Sequence, residues 1–254
     1  MNTRPNARRS HEKTARFVVN FNDLNCAAII MKMSNILVPS SGPDDWKQFL
    51  AQPDLHWSTG YSARTLAHAW EAATGAPPEV ADLMVQAYGP GKLLLAIPEH
   101  KTSLPGGERK SQSDVFALVR HERGLATYTI EGKVDEPFGP TVGEWSVNAS
   151  PGKIERLEYL CGILGLASCP LDVRYQLLHR TASALIEADR FDAKLAGMIV
   201  HSFSPERRWL AEFQRFAALI GCEVEVGRSA TIQVPSEKSL MLGWACGDQR
   251  FREA

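Results

Sequence analysis

The sequence has little of what usually marks a protein's chemistry at first sight. It contains no run of about 18 or more apolar residues, the least a membrane-crossing helix needs, and no long apolar stretch near its start of the kind a secretory leader carries. The expectation is therefore a cytoplasmic protein with no membrane partner. Five cysteines (Cys26, Cys161, Cys169, Cys222, Cys246) are odd in number, far apart and never C-x-x-C, so neither a zinc knuckle nor a disulfide framework is suggested. Seven histidines form no H-E-x-x-H pair. An excess of one charge is missing too. Lys and Arg number 28 against 29 Asp and Glu, a net charge of −1, so nucleic-acid phosphates would have to be met by a local basic patch. No repeat or low-complexity segment interrupts the chain. With 44% hydrophobic and 22% charged residues among 254, the composition is that of a folded protein with a sizeable core.

Residues 1–33 are basic at first (Arg4, Arg8, Arg9, Lys13, Arg16) and then mixed. They read as a disordered arm or as upstream sequence, with Met31 and Met33 as alternative starts. Residues 34–254 read as one α/β domain with a helical preface over 34–76. Residues 35–41 form a short extended lead-in, and Asp44-Asp45-Trp46 starts a helix with acids in its first turn. Ser62 caps a second helix striped by Leu66, Ala67, Trp70 and Ala73, which Gly75 closes. Pro77-Pro78 leads into a third helix ending at Gly89. Residues 93–97 are a buried-strand run, and Pro105-Gly106-Gly107 turns the chain. Further on come helices over 152–166 (stripe Ile154, Leu157, Cys161, Leu164) and 172–188. A nearly continuous apolar strand over 195–203 suits an interior sheet position. An amphipathic helix over 208–220 and a last strand over 239–246 complete the pattern.

The stretch between these halves is SQSDVFALVRHERGLATYTIEGKVDEPFG, residues 111–139. Asp114 opens a β-type run through Val119, a turn lies at Glu122, Arg123 and Gly124, and a second run from Ala126 to Val134 carries Glu131-Gly132-Lys133. In an extended chain residues two apart share a face, so Glu131 and Lys133 project to one side, Ile130 and Gly132 to the other. If the runs pair as a hairpin, Asp114 reaches that first side too. Such a group can hold Mg²⁺, a hard cation satisfied by a few carboxylate oxygens and water, with an ammonium alongside to orient an attacking water.

Asp114 followed seventeen positions later by Glu131-x-Lys133 resembles the PD-(D/E)XK signature of restriction-endonuclease-like nucleases. From residue 78 the order helix, strand, strand with Asp114, strand with Glu131 and Lys133, helix, strand is the α-β-β-β-α-β order of that fold, with one extra helix in the crossover. The flank Glu131-Gly132-Lys133-x-x-Glu136-Pro137-Phe138 is similar to a pattern of bacterial restriction-type endonucleases. The chain from residue 35 onward also resembles an uncharacterised bacterial family. The resemblance implies a restriction-endonuclease-like core, a mixed sheet flanked by helices, with an N-terminal helical extension. It implies Mg²⁺-dependent (or Mn²⁺-dependent) phosphodiester hydrolysis of DNA, with RNA as the other substrate and a homodimer as a further expectation. Asp114 and Glu131 would be metal ligands, joined by the Gly132 carbonyl and by Glu99 or, less readily, Glu79. Lys133 would orient the water or meet the charge gained in the transition state.

Beyond the signature, the helix over 172–188 presents Arg174, Gln176, His179 and Arg180. Gln176 and Arg180 are i, i+4 neighbours, so one face can address a phosphate, and Gln176 is the further catalytic candidate. The Q-x-x-x-Y form of one nuclease branch is missing, since Tyr175 precedes Gln176. Lys101, Arg109, Lys110, Arg174 and Arg180 are the candidate nucleic-acid contacts. Asp135 and Glu136 read as ligands of a second ion or as a strand cap, and His201 as a hydrogen-bonded core residue. The competing reading is a non-catalytic nuclease-fold interaction or nucleic-acid-binding module. There the charged cluster only stabilises the strands, and the Glu131–Lys133 pair is worth under about 1 kcal/mol.

Overall fold

Strand alternation and apolar runs place the elements of one mixed sheet, which the computed structural model describes together with its flanking helices for Met1, residues 36–38 and residues 40–254. The arm or upstream extension expected over 1–33, Cys26 and the starts Met31 and Met33 lie, Met1 apart, outside the described residues. Among the described residues the strands are β1 (Gly91–Thr102), β2 (Ser111–His121), β3 (Gly124–Lys133), β4 (Leu195–Ser202), β5 (Ser229–Gln233) and β6 (Ser239–Cys246). Their order in the sheet is β1-β2-β3-β4-β6-β5. The β1–β2 and β2–β3 pairs are antiparallel, β3–β4 and β4–β6 parallel, and β5 closes the far edge antiparallel to β6. The helices are α1 (Pro53–His56), α2 (Ser62–Ala72), α3 (Pro78–Tyr88), α4 (Val142–Trp145), α5 (Pro151–Ile163), α6 (Tyr175–Arg190) and α7 (Leu210–Leu219).

Each sheet face has its own core. Leu177, Leu178 and Leu185 of α6 and Phe213 and Phe216 of α7 pack with Met198, Val200 and Trp244 on one face. Leu66 and Trp70 of α2 and Val80 and Leu83 of α3 pack with Val115, Tyr128, Ile130 and Ile199 on the other. Every residue of β4 is buried, because it lies between β3 and β6 with both faces covered. Gly197 in that strand is required by close approach: a Cβ there would fall 2.5 Å from the Tyr128 ring. The Tyr88 hydroxyl donates to the Ala196 and Ser239 carbonyls, each at 2.8 Å, tying α3 to β4 and β6.

Several local expectations need correction. The Asp44-Asp45-Trp46 segment is a 3-10 helix, Pro43–Phe49, held to α2 by the Trp46 indole donating to Glu71 at 2.9 Å. Ser62 does not cap α2 but is its first residue, and its N–H donates at 2.8 Å to Glu136, which does the capping from another element. The lead-in over 35–41 contributes one bridge, Ile36 to Ala96. In α5 the apolar stripe holds for Leu157, Cys161 and Leu164 but not for Ile154, which is 50% exposed, and Arg156 and Leu160 also face inward. Strand β5 was not foreseen. Residues Ser34–Ala254 form one compact unit, and no described helix is long and apolar enough to cross a membrane.

Candidate functional site

The hairpin of β2 and β3 brings the acids together. Its ladder runs to Val115↔Ile130, and beyond that rung the next amide available on β3, Gly132 N–H, donates at 2.7 Å to the carboxylate of Asp114. Beside Asp114 in β1, Glu99 adopts a left-handed backbone (φ 53°), costly for a residue other than glycine, and its carboxylate accepts from Gln112 Nε2 at 2.6 Å. Glu131 and Lys133 share the α6 side of the sheet, as the period of two requires.

Glu131 is the hub. Its Oε1 accepts from Lys133 Nζ and from Gln176 Nε2, both at 2.7 Å, and its Oε2 from Arg180 Nε at 2.7 Å. All three charged members are buried: Glu131 is 2% exposed, Lys133 4% and Arg180 7%. Helix α6 reaches this position because it crosses back over β3, with Arg180 O and Ala184 O accepting from Thr129 and Thr127 at 2.9 and 2.8 Å. Its far end is tied to the β1 edge by Glu187, which accepts from Thr102 at 2.8 Å and meets His100 at 2.9 Å. The Lys133 ammonium also lies 5.1 Å from the centre of the Phe138 ring.

The electrostatics follow from burying three acids near one another. Burial, and then the charge of Glu131, push the Asp114 carboxyl up to about 7, against the pull of Lys133, Arg180 and the Gly132 N–H. Burial and then the charge of Asp114 push Glu99 up to about 8. Glu131 goes the other way: burial opposes its ionisation, but Lys133 and Arg180 outweigh it and hold the carboxyl below its ordinary range. His179, next to Arg180, shares a 2.8 Å hydrogen bond with Ser111. Burial and the fields of Arg180, Arg156 and Arg109 keep its imidazole neutral, far below the usual histidine range.

Over this hub opens a cleft of about 420 Å³ bordered by Lys133, Gln176 and Arg180 from the hub and by Arg109, Lys110 and Arg156 from around it. The chain belongs to the DUF6946 family, a domain of unknown function. The family model matches residues 39–249 and so takes in the hub, the cleft and the whole sheet. Neither the curated proteins nor the solved structures contain a match to the chain.

In this member of the family the expected site residues are divided. Asp114, Glu131, Lys133, Gln176 and Glu99 are brought together. Arg180 is with them, but as the buried partner of Glu131 rather than as a surface phosphate contact. Arg174 is likewise spent: its guanidinium donates to both Glu212 oxygens at 2.9 and 2.8 Å and to the Gly139 carbonyl at 2.7 Å. Arg109 and Lys110 are exposed at the cleft, whereas Lys101 borders a separate open depression with Glu99. Glu79 lies away from the hub and meets His201 at 2.7 Å. Asp135 pairs with Arg252 at 2.6 Å, and Glu136 accepts from Ser62 N and Val134 N. These three acids are thereby accounted for by structural contacts.

The donor set suits a hard divalent cation in kind, since Asp114, Glu99 and Glu131 offer oxygen alone. Among the described residues no three or more His, Cys, Asp and Glu side chains are gathered so as to hold an ion, and both Glu131 oxygens are engaged by the cations and Gln176. Mg²⁺ needs only one or two carboxylates together with water and substrate phosphate, and Asp114 with Glu131 meets that minimum. Arg156 is the cleft residue that sequence reasoning missed. It follows Glu155 and precedes Leu157 and Glu158 in a helix, so it reads like a solvated position, and the one signal for it was the Pro105-Gly106-Gly107 turn that it holds.

Proposed function

We propose that this chain is a PD-(D/E)XK-type, divalent-metal-dependent phosphodiesterase acting on DNA and built on a restriction-endonuclease-like core. The observation that carries the reading is the Asp114 carboxylate hydrogen-bonded to the backbone between Glu131 and Lys133, beneath a cation-lined cleft. The antiparallel β1–β2–β3 unit, the parallel step to β4 and the return of α6 over the acid–lysine pair support it as architecture.

Asp114 and Glu131 would hold the ion, which supplies a water of lowered pKa and polarises the phosphate oxygens. The protein's own residues then have distinct tasks. Lys133 stands at the cleft wall, its ammonium fixed between Glu131 and the face of Phe138, where it meets charge developing on a phosphate. Arg180 and Gln176 fix the rotamer of Glu131 through separate oxygens, so its orientation is set before substrate arrives. Asp114 is oriented by the Gly132 N–H in the same way.

A second reading has its own support in the saturation of Glu131 by three donors: a non-catalytic nucleic-acid-binding module in which the hub is structural. Supercoiled plasmid, linear duplex, single-stranded DNA and RNA incubated with Mg²⁺, Mn²⁺ or EDTA, beside Asp114→Asn and Lys133→Ala, separate the two. Metal-dependent cutting that disappears in both variants is the expected result. A wild-type protein that folds, binds nucleic acid in EDTA and cuts none of the four overturns the enzyme and leaves the module.

A further inference from the structure

The cleft beside the hub contains positive charge that nothing in the fold neutralises. Arg156 is only 7% exposed, and its guanidinium donates to the backbone carbonyls Pro105 O at 2.7 Å and Gly107 O at 3.0 Å. Among the described residues it forms no ion pair with a carboxylate, unlike its buried neighbour Arg180. A buried cation without a counter-charge is costly, and this one is deliberately held. The turn that grips it needs glycine: Gly106 has φ +75°, and a Cβ there would lie 1.9 Å from the Gly152 carbonyl oxygen at the start of α5.

A second observation concerns the side chain next to that guanidinium. Tyr175, 8% exposed, lines the same cleft; its buried hydroxyl makes no hydrogen bond of good geometry and has the Arg156 guanidinium as its polar neighbour. Arg109 and Lys110 stand at the mouth, exposed and without carboxylate partners among the described residues. Donors left unspent are thus a guanidinium, an ammonium, the remainder of a buried guanidinium and a phenol. The acidic hub contributes none of its oxygens to the lining.

We infer that this cleft is a binding pocket for a phosphomonoester dianion, carried either by the terminal phosphate of a nucleic-acid strand or by a free mononucleotide. A phosphomonoester has about −1.5 to −2 charges at neutral pH and three strong acceptor oxygens, which matches three cations and a hydroxyl better than the single charge of an internal phosphodiester does. The volume of about 420 Å³ is in the range of small-ligand sites. The inference rests on the phosphodiesterase reading for its substrate class, not for the pocket itself. On that reading the hub is positioned next to a strand end rather than along a continuous duplex.

The test is fluorescence-polarisation binding of a short single strand in EDTA, with one end phosphorylated or both ends hydroxyl, to wild type, Arg156→Gln, Arg109→Ala and Tyr175→Phe. Circular dichroism checks that each variant folds; Arg109→Ala and Tyr175→Phe carry the test should Arg156→Gln unfold. The phosphorylated strand is expected to bind about tenfold tighter, and the variants to lose most of that difference. A mononucleotide that displaces the strand at equal concentration identifies the free nucleotide as the source; displacement only by end-phosphorylated strands identifies the strand end. Equal binding of both strands, with neither inorganic phosphate nor mononucleotide competing, overturns the pocket. End preference in EDTA by a protein that cuts nothing in Mg²⁺ leaves the pocket standing without the nuclease, and cutting without end preference does the reverse.

Discussion

The Asp114 carboxylate accepts the Gly132 N–H at 2.7 Å, where the β2–β3 ladder has run out at Val115↔Ile130. A side chain thereby takes over from the backbone as acceptor, and the same contact fixes the acid next to Glu131. Asparagine at this position keeps an acceptor oxygen, while alanine leaves a buried N–H unpaired. Asp114→Ala should therefore cost about 1–3 kcal/mol of unfolding free energy and Asp114→Asn under about 1 kcal/mol, both without cutting activity. Urea denaturation of the two variants checks this, and equal losses of stability would show that the hydrogen bond contributes nothing.

Glu131 neutralises two buried cations, so its removal harms the fold more than the removal of either cation. Glu131→Ala leaves Lys133 and Arg180 buried without a counter-charge, a change that costs about 3–5 kcal/mol. Arg180→Ala leaves Glu131 its bond to Lys133 and should cost less. The double variant should be more stable than the sum of the single losses predicts, since it removes both sides of one buried pair. Strict additivity in chemical denaturation would mean that the pair is not coupled and that the hub is looser than its three 2.7 Å contacts imply.

What the sequence made legible is what depends on local pattern. The hairpin, the shared face of Glu131 and Lys133, the run of one helix and three strands before a helical crossover and the buried β4 all follow from periods of two and of 3.6 and from glycine and proline punctuation, while the short α4 in that crossover was not foreseen. What it concealed depends on partners far along the chain. Ser62 reads as a cap because local rules favour serine there, yet Glu136, 74 positions away, does the capping. Arg174 and Arg180 look alike on one helix, but Glu212 takes the first and Glu131 the second. Arg156 reads as a solvated helix residue because nothing local shows that the 105–107 turn folds over it. The short strand β5 alternates Ala230 and Ile232 with polar residues, but it is five residues long, partly exposed and paired on one side only, so its apolar signal is too brief to stand out from a loop.

The Glu136 contact gives a prediction of its own. One carboxylate accepts the Ser62 N–H at 2.8 Å, at the start of α2, and the Val134 N–H at 3.0 Å, just past β3. An anion at a helix N-terminus satisfies an orphan donor and meets the positive end of the helix dipole. Glu136→Ala should cost about 1–2 kcal/mol and Glu136→Gln about half as much. Amide exchange at Ser62 should speed up in the alanine variant while the middle of α2 stays protected. Unchanged exchange at Ser62 would mean that another group caps the helix.

The acidity of Asp114 and Glu99 makes stability depend on pH in a direction opposite to that of most carboxylates. In the folded chain Asp114 is raised from 3.8 to about 7 and Glu99 from 4.5 to about 8, so between those limits the folded state binds more protons than the unfolded one. The contribution of each is then fully present below its unfolded value and is lost as pH rises through its folded value. Metal-free protein should accordingly lose thermal stability progressively from about pH 5 to about pH 8 and level off above that, and Asp114→Asn or Glu99→Gln should flatten that slope. A divalent cation held by these acids favours their ionised forms, so Mg²⁺ added at the alkaline end should restore the wild-type midpoint and leave Asp114→Asn unmoved. A flat wild-type profile would refute the burial and mutual repulsion that raise the two acids. A sloping profile that Mg²⁺ does not alter would mean that the acids are crowded for a reason other than cation binding, and would favour the non-catalytic module over the phosphodiesterase.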